Sequence, residues 1–310
     1  KVALQDLKSV YIDLNDIDAY AAYVNSLGGN IHLNINEQDS LTYIAAEKLF
    51  MRGDNEGARR SMQNYLQNYP NGAFSTNANF YLASIAFNLK EYNEALPMFE
   101  QVIASGDRKF LEESTARKAE IEYLTENFKA ALETFKRLNE IAESADNKEA
   151  ASLGIMRCAL KEGNQKDALL AGANQLLKNP KVSPEIANEA RYVRAKAYME
   201  MDQESKALAD LKLISQDTRT AQGAEAKYLL AQLYYDANDD KNAEKVLEEF
   251  AKNGTPHQYW LARGFILWAD IYIRKGDPVQ ARVYLNSLQK NYQGDDNITE
   301  MIESRLAKLK

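Results

Sequence analysis

Alanine returns along this chain at a nearly fixed interval. Ala58, Ala95, Ala131, Ala168, Ala207, Ala243 and Ala281 are separated by 37, 36, 37, 39, 36 and 38 residues. Twelve residues before each stands a second small residue, Ala46, Ala83, Ala119, Ala195, Ala231 or Ala269, with Met156 the exception. A period of this length marks a repeat architecture, in which each unit buries its apolar face against its neighbours. The 310 residues therefore read as a row of similar units and not as two ordinary domains.

The inside of one unit shows what is repeated. Over residues 219–252, Leu229, Leu230, Leu233 and Tyr234 recur at three- and four-residue spacing, the period of one helix face. Asp236-Ala237-Asn238-Asp239-Asp240 breaks the run, and Ala243, Val246, Leu247 and Phe250 resume it. Each unit is predicted to be two short helices, A and B, joined by a tight turn. The alanines mark where A crosses B, because a residue without a bulky side chain lets two backbones approach. A large residue there would overpack, at about 1–3 kcal/mol. Strand signals are nearly absent. The one short alternation, Asn30 to Asn36, is read as an extended linker.

These positions resemble the tetratricopeptide repeat. The small residues fall at that family's eighth and twentieth positions, and Ala46/Ala58/Pro70 and Met156/Ala168/Pro180 match the full spacing. Gly53, Gly163 and Gly276 match the turn glycine. Tyr198, Tyr234 and Tyr272 match the aromatic before it, and Phe99 and Phe135 the aromatic of helix B. The period is longer than the usual one and the family's fourth-position tryptophan is missing. The resemblance implies an all-α fold, a right-handed α-α superhelix of seven to eight helical hairpins with a C-terminal capping helix.

Three segments follow. Residues 1–36 hold a worn repeat and a linker: Leu4, Leu7, Val10 and Tyr11 are helically spaced, Asn15-Asp16 breaks them, and Ala19 keeps the register. Residues 37–292 hold seven repeats, and residues 293–310 a capping helix with Ile298, Met301, Ile302 and Leu306 on one face. Asp39-Ser40 is expected to cap repeat one, and Ser75-Thr76 opens repeat two. Ser183-Pro184-Glu185 and Thr255-Pro256 place a cap and a first-turn proline at repeats five and seven. Helix B of repeat three is expected to run from Phe128 to about Ala145. The chain starts without Met at a repeat boundary, which reads as a piece of a longer parent with further repeats before it.

Motifs for chemistry are missing. His32 and His257 stand alone, Cys158 is a single cysteine on a helix A face, and HExxH, CxxC, phosphate-binding and GxSxG patterns do not occur. No catalytic, metal-binding or cofactor-binding residue is assigned, and the chain is read as non-enzymatic. A net charge of −7 argues against nucleic acid, which is held by clustered Lys and Arg. No apolar run reaches the roughly 18 residues of a membrane span.

What remains is a surface for a protein or peptide. In tetratricopeptide arrays helix A lines the groove where partners lie, and the resemblance carries its groove positions onto this chain. The fifth positions are Tyr43, Phe80, Ala116, Leu153, Tyr192, Tyr228 and Ile266; the ninth are Glu47, Ser84, Glu120, Arg157, Lys196, Gln232 and Asp270. The twelfth are Phe50, Phe87, Tyr123, Leu160, Met199, Tyr235 and Ile273, most of them expected to fill the seam between helices A. The candidate partner-binding residues are Tyr43, Glu47, Phe80, Ser84, Glu120, Arg157, Tyr192, Lys196, Tyr228, Gln232 and Asp270. No fifth position is Lys and no ninth is Asn, unlike the repeats that clamp a chaperone's terminal carboxylates. Long repeats with Tyr-rich helices A resemble bacterial envelope proteins, outer-membrane assembly lipoproteins and TolA-binding factors. That likeness implies the periplasm or the outer membrane. A carbohydrate- or small-ligand-binding envelope protein and a cytoplasmic peptide-sensing regulator stay open as alternatives.

Overall fold

The computed structural model describes residues 2–309, and among them it holds 17 α-helices and no strand. The chain divides into two compact units, residues 1–162 and 163–310. The division falls inside the fourth repeat, between its helix A and its helix B.

The first unit contains α1 (Val2–Asp13), α2 (Ile17–Ser26), α3 (Ile35–Met51), α4 (Asn55–Asn68), α5 (Ser75–Asn88), α6 (Tyr92–Ser105), α7 (Arg108–Leu124), α8 (Phe128–Ile141) and α9 (Ala145–Glu162). Here α3, α5, α7 and α9 are the A helices of repeats one to four. The second unit contains α10 (Lys166–Lys178), α11 (Pro184–Glu200), α12 (Glu204–Ile214), α13 (Ala221–Asp236), α14 (Asp240–Asn253), α15 (Gln258–Arg274), α16 (Pro278–Asn291) and α17 (Ile298–Lys308). In it, α11, α13 and α15 are A helices, and α17 packs on both α15 and α16.

The small-residue pattern is a packing pattern. Every predicted crossing alanine except Ala168 is wholly buried, as is Met156. One turn along helix B from each alanine sits a large buried residue: Met62, Phe99, Phe135, Leu211, Leu247 or Leu285. A small buried residue followed one turn later by a large one is the alternation that fills a close-packed interior.

Ala168 is the correction. In the other repeats helix B begins two residues after a turn residue with positive φ, so the alanine is its fourth residue. The turn after Gly163 carries one residue more, and α10 begins at Lys166. Leu169 takes the fourth place and is buried, while Ala168 is half-buried.

The turn residues are Gly53, Lys90, Glu126, Gly163, Asp202, Asn238 and Gly276, all with φ between 54° and 81°. Four of the seven are not glycine, and at Lys90 and Glu126, which have no preference for the left-handed region, the hairpin imposes it.

Three expected boundaries move. Asn34, not Asp39, caps α3: its side chain accepts from the Glu37 N–H at 2.9 Å while Glu37 accepts from the Asn34 N–H at 3.1 Å, a capping box. The helix therefore starts at Ile35, inside the stretch read as linker. Helix α8 stops at Ile141, short of Ala145, which opens α9. Helix α15 starts at Gln258 with His257 as its cap residue, leaving Pro256 outside the first turn. Ser183 does cap α11, accepting from the Ile186 N–H at 3.2 Å, with Pro184 in the first turn.

Asp39 has another task. Buried in α3, it accepts from the Tyr65 hydroxyl at 2.5 Å and from the Ala73 N–H at 3.0 Å, tying helix A to the loop that leads into the next repeat. Glu112 holds the same repeat position in α7. It accepts from the Glu143 and Ser144 N–H groups, each at 3.1 Å, and from Asn147 Nδ2 at 2.8 Å. These donors hold its carboxyl below the usual carboxylate range, the Asn147 amide most strongly.

Candidate partner-binding face

The predicted groove positions are buried or half-buried in each unit's A helices, and their surroundings differ from repeat to repeat. Tyr43 is buried, and its ring stacks on Phe74 with centroids 4.5 Å apart and planes 2° from parallel. Phe80 stacks on Phe110 at 4.6 Å. Tyr228, also buried, stacks on Trp260 at 5.7 Å and lies under the Arg263 guanidinium at 4.6 Å. Phe74, Phe110 and Trp260 occupy one register, six residues before the next fifth position. A fifth-position ring is thus covered by a ring brought in by the following repeat. Tyr43 and Tyr228 shape the face, and their own rings are largely covered.

The ninth-position side chains are linked to these rings. The Tyr43 hydroxyl donates to Glu47 Oε1 at 2.7 Å, and the Tyr81 hydroxyl donates to the same oxygen at 3.1 Å. Burial, then the Glu47 carboxylate, pushes the Tyr43 hydroxyl pKa well up, so it stays a donor. Ser84 turns back and donates to the Phe80 carbonyl at 2.8 Å. In the second unit, the Tyr192 hydroxyl and Lys196 Nζ both donate to Glu225, at 2.6 and 2.5 Å. The Tyr228 hydroxyl donates to Gln232 Oε1 at 2.9 Å and accepts from Arg263 at 2.7 Å. Asp270 is held by Arg305 of α17 in a two-point pair at 2.6 and 2.8 Å. Along α11, α13, α15 and α17 the polar groups of this face are thus largely paired with one another.

Three of the seven twelfth positions fill seams. Phe50 packs on Tyr81 at 4.7 Å, Arg117 covers Phe87 at 4.9 Å, and Arg274 covers Tyr235 at 3.7 Å, each from the next helix A. Leu160 and Ile273 remain exposed.

The face opens between α7 and α9. Here the fifth position is Ala116 and the residue six before the next one is Asn147, so neither half of the ring pair exists. A cleft of about 400 Å³ takes its place, within the first unit. Phe135 and Leu138 of α8, with Ala116 and Leu153, give it apolar walls, and Glu113, Arg117, Glu120, Asp146 and Arg157 stand around it. Gly154 is a wall of backbone: a Cβ there would come within 2.5 Å of the Phe135 ring. Arg117 bridges Glu113 and Glu120, at 2.9 and 3.0 Å. Of the predicted residues, Glu120 and Arg157 belong to this cleft. Asp146 and Gly154 were not singled out in the sequence, and Phe135 stood there only as the aromatic of helix B, because their relation to the cleft depends on which ring is absent above them.

Other candidates for chemistry stay structural. Cys158 is buried, and burial pushes its thiol up to about 12, far from a reactive thiolate. Among the described residues no group of His, Cys, Asp and Glu is placed to hold a metal ion, and no helix is long and apolar enough to cross a membrane.

Comparison with known proteins agrees with this geometry. Residues 225–253, in α13 and α14, match the tetratricopeptide repeat family model. No curated protein matches the sequence. Among solved structures, the Naa15/Naa10 complex bound to HypK-THB is similar at a TM-score of 0.56 and 13% identity, over 87% of this chain and 39% of that one. At that identity the likeness is one of fold alone. A tetratricopeptide repeat protein from Parabacteroides merdae ATCC 43184 aligns over 86% of this chain and 98% of its own, at 14% identity and a TM-score of 0.45. The quorum sensor NprR from B. thuringiensis, in its apo form, aligns over 99% of this chain and 92% of its own, at 10% identity and a TM-score of 0.43.

Proposed function

The chain folds as a tetratricopeptide-type repeat protein, and on that premise we propose that it is a non-enzymatic scaffold that binds a partner protein through the exposed face of its A helices. The observation that carries this reading is the cleft between α7 and α9. It lies on the face the repeat pattern marks, with apolar walls and a charged rim, the composition of a site that takes an anchor side chain. At the two preceding junctions of the first unit a ring pair closes the fifth position, and at this one the space is open.

A photo-crosslinking amino acid tests the reading in the source cell. Placed at Glu120 or Lys196, on the proposed face of either unit, it should trap a discrete protein adduct. Placed at Glu133, on a B helix with its side chain 69% exposed, it should not. Equal adducts from all three sites, or none from the A helices, would count against a binding face there.

The finer reading is a place in a bacterial envelope assembly, as part of a larger periplasmic or outer-membrane-associated protein. Its support is the sequence: long repeats and tyrosine-rich A helices of the kind seen in outer-membrane assembly lipoproteins and TolA-binding factors. Cell fractionation decides it, since recovery of the native protein with the cytosol would refute it.

A further inference from the structure

We propose that the cleft between α7 and α9 accepts an aromatic side chain of the partner, flanked by a lysine or arginine. This rests on the scaffold reading above and names the chemistry of the partner at that site. The first unit contains an internal template for the occupant. At two successive repeat junctions a ring at the fifth position meets a ring from the next repeat, Tyr43 on Phe74 and Phe80 on Phe110. At the third junction the corresponding residues are Ala116 and Asn147, and the space is open to about 400 Å³. The floor that would support a ring is still in place. Phe99 lies edge-on under Phe80 at 6.3 Å in repeat two, and Phe135 holds the same helix B position in repeat three, lining the cleft. A partner's ring would therefore complete a stack that the chain builds for itself twice before, with the offset and edge-on contacts aromatic groups prefer.

Charge selects the flanking residue. Glu113, Glu120 and Asp146 face Arg117 and Arg157 across the rim, an excess of one carboxylate, on a chain whose net charge is −7. Arg117 is already shared by Glu113 and Glu120. An acidic partner segment would be repelled both locally and by the chain as a whole, and a basic one attracted. Asp146, in the first turn of α9, lies at the edge of the cleft and supplies the complementary charge.

The test uses the full chain and a random peptide library displayed on phage. Selection on the parent protein should enrich peptides with Phe, Tyr or Trp next to Lys or Arg. Two variants then read the site. Ala116→Phe supplies the missing ring and should weaken the enriched peptides at least tenfold. Asp146→Lys should leave the aromatic preference and shift its neighbour towards Asp or Glu. The charge variant keeps the test informative if Ala116→Phe disturbs folding. Enrichment of aliphatic or acidic peptides would overturn the proposal. So would aromatic peptides that bind Ala116→Phe undiminished; if those peptides still crosslink at Glu120 or Lys196, the scaffold reading survives without the ring site. A library that yields no binder on any face would tell against both.

Discussion

The turn residues offer a direct measurement of what the hairpins impose on the chain. Lys90 has φ 62° and Glu126 has φ 61°, at the positions where Gly53, Gly163 and Gly276 stand in other repeats. A residue with a Cβ in this conformation costs about 1–2 kcal/mol relative to the right-handed one, and glycine escapes that cost. Glycine in turn loses about 0.5–1 kcal/mol more backbone freedom on folding. The difference leaves a gain of about 0.5–1 kcal/mol per site. Both side chains are exposed, and both turns lie in the first unit. The Lys90→Gly/Glu126→Gly variant should therefore stabilise that unit by roughly 1–2 kcal/mol, or a melting shift of roughly 2–8 °C for a body of this size. Urea unfolding followed by far-UV circular dichroism gives the magnitude, and hydrogen exchange shows which unit gains. The companion change Asn238→Gly should gain less, because asparagine tolerates the left-handed region. Gly53→Ala should lose about 1 kcal/mol on backbone grounds alone, since an added Cβ meets nothing within 4 Å. A double variant that melts at or below the parent would show that the hairpin does not strain these residues.

Three further outcomes follow from burial. Ala231→Leu should destabilise the second unit by about 1–3 kcal/mol through overpacking, and a melting curve equal to the parent's would remove Ala231 from the helix crossing. Arg194 pairs with buried Asp210 at 2.8 Å through two nitrogens and reaches Asn174 at 2.8 Å. Arg194→Ala leaves that carboxylate without its cation, so a loss of about 3–5 kcal/mol is expected in urea unfolding, and under 1 kcal/mol would refute the pairing. Buried Glu122 has its pKa raised by desolvation, against the opposing Thr134 hydrogen bond and Lys118. The folded state then holds its proton to higher pH than the unfolded state, so this group's contribution to stability falls as pH rises from the ordinary carboxylate value through the raised one. Glu122→Gln should flatten that fall, and identical pH profiles for parent and variant would contradict it.

What could be read in the sequence, and what could not, divides by the range of the interaction. The crossing alanines were legible because a small residue at a helix crossing needs no particular partner; its signature is periodic. Ala168 failed for a local reason, one extra residue after Gly163, which periodicity smooths over. Asp39 looked like a cap because it is an acidic residue before an apolar run. Its buried role depends on Tyr65 and Ala73, far along the chain. The ring pairs were half visible. Tyr43, Phe80 and Tyr228 stood out at the fifth position, but Phe74, Phe110 and Trp260 gain meaning only when the next helix is laid beside them. The cleft follows from the same pairing, as the junction within the first unit where both rings are missing.

The two units therefore differ in what a partner would have to displace. On the second unit's face, Tyr192 and Lys196 already share Glu225, Tyr228 is held between Gln232 and Arg263, and Asp270 is held by Arg305. A ligand group that broke one of these bonds would have to replace it or leave a half-buried polar atom unpaired, at about 1–3 kcal/mol. Between α7 and α9 the apolar surface still open belongs to half-buried Ala116 and Leu153 and exposed Ala150, which lose nothing polar when covered, with buried Leu138 and Phe135 behind them. Burying apolar surface there yields about 25 cal/mol per Å² with no hydrogen bond to offset. For the proposed scaffold, the groove positions of the first unit would then offer more unencumbered apolar surface than those of the second.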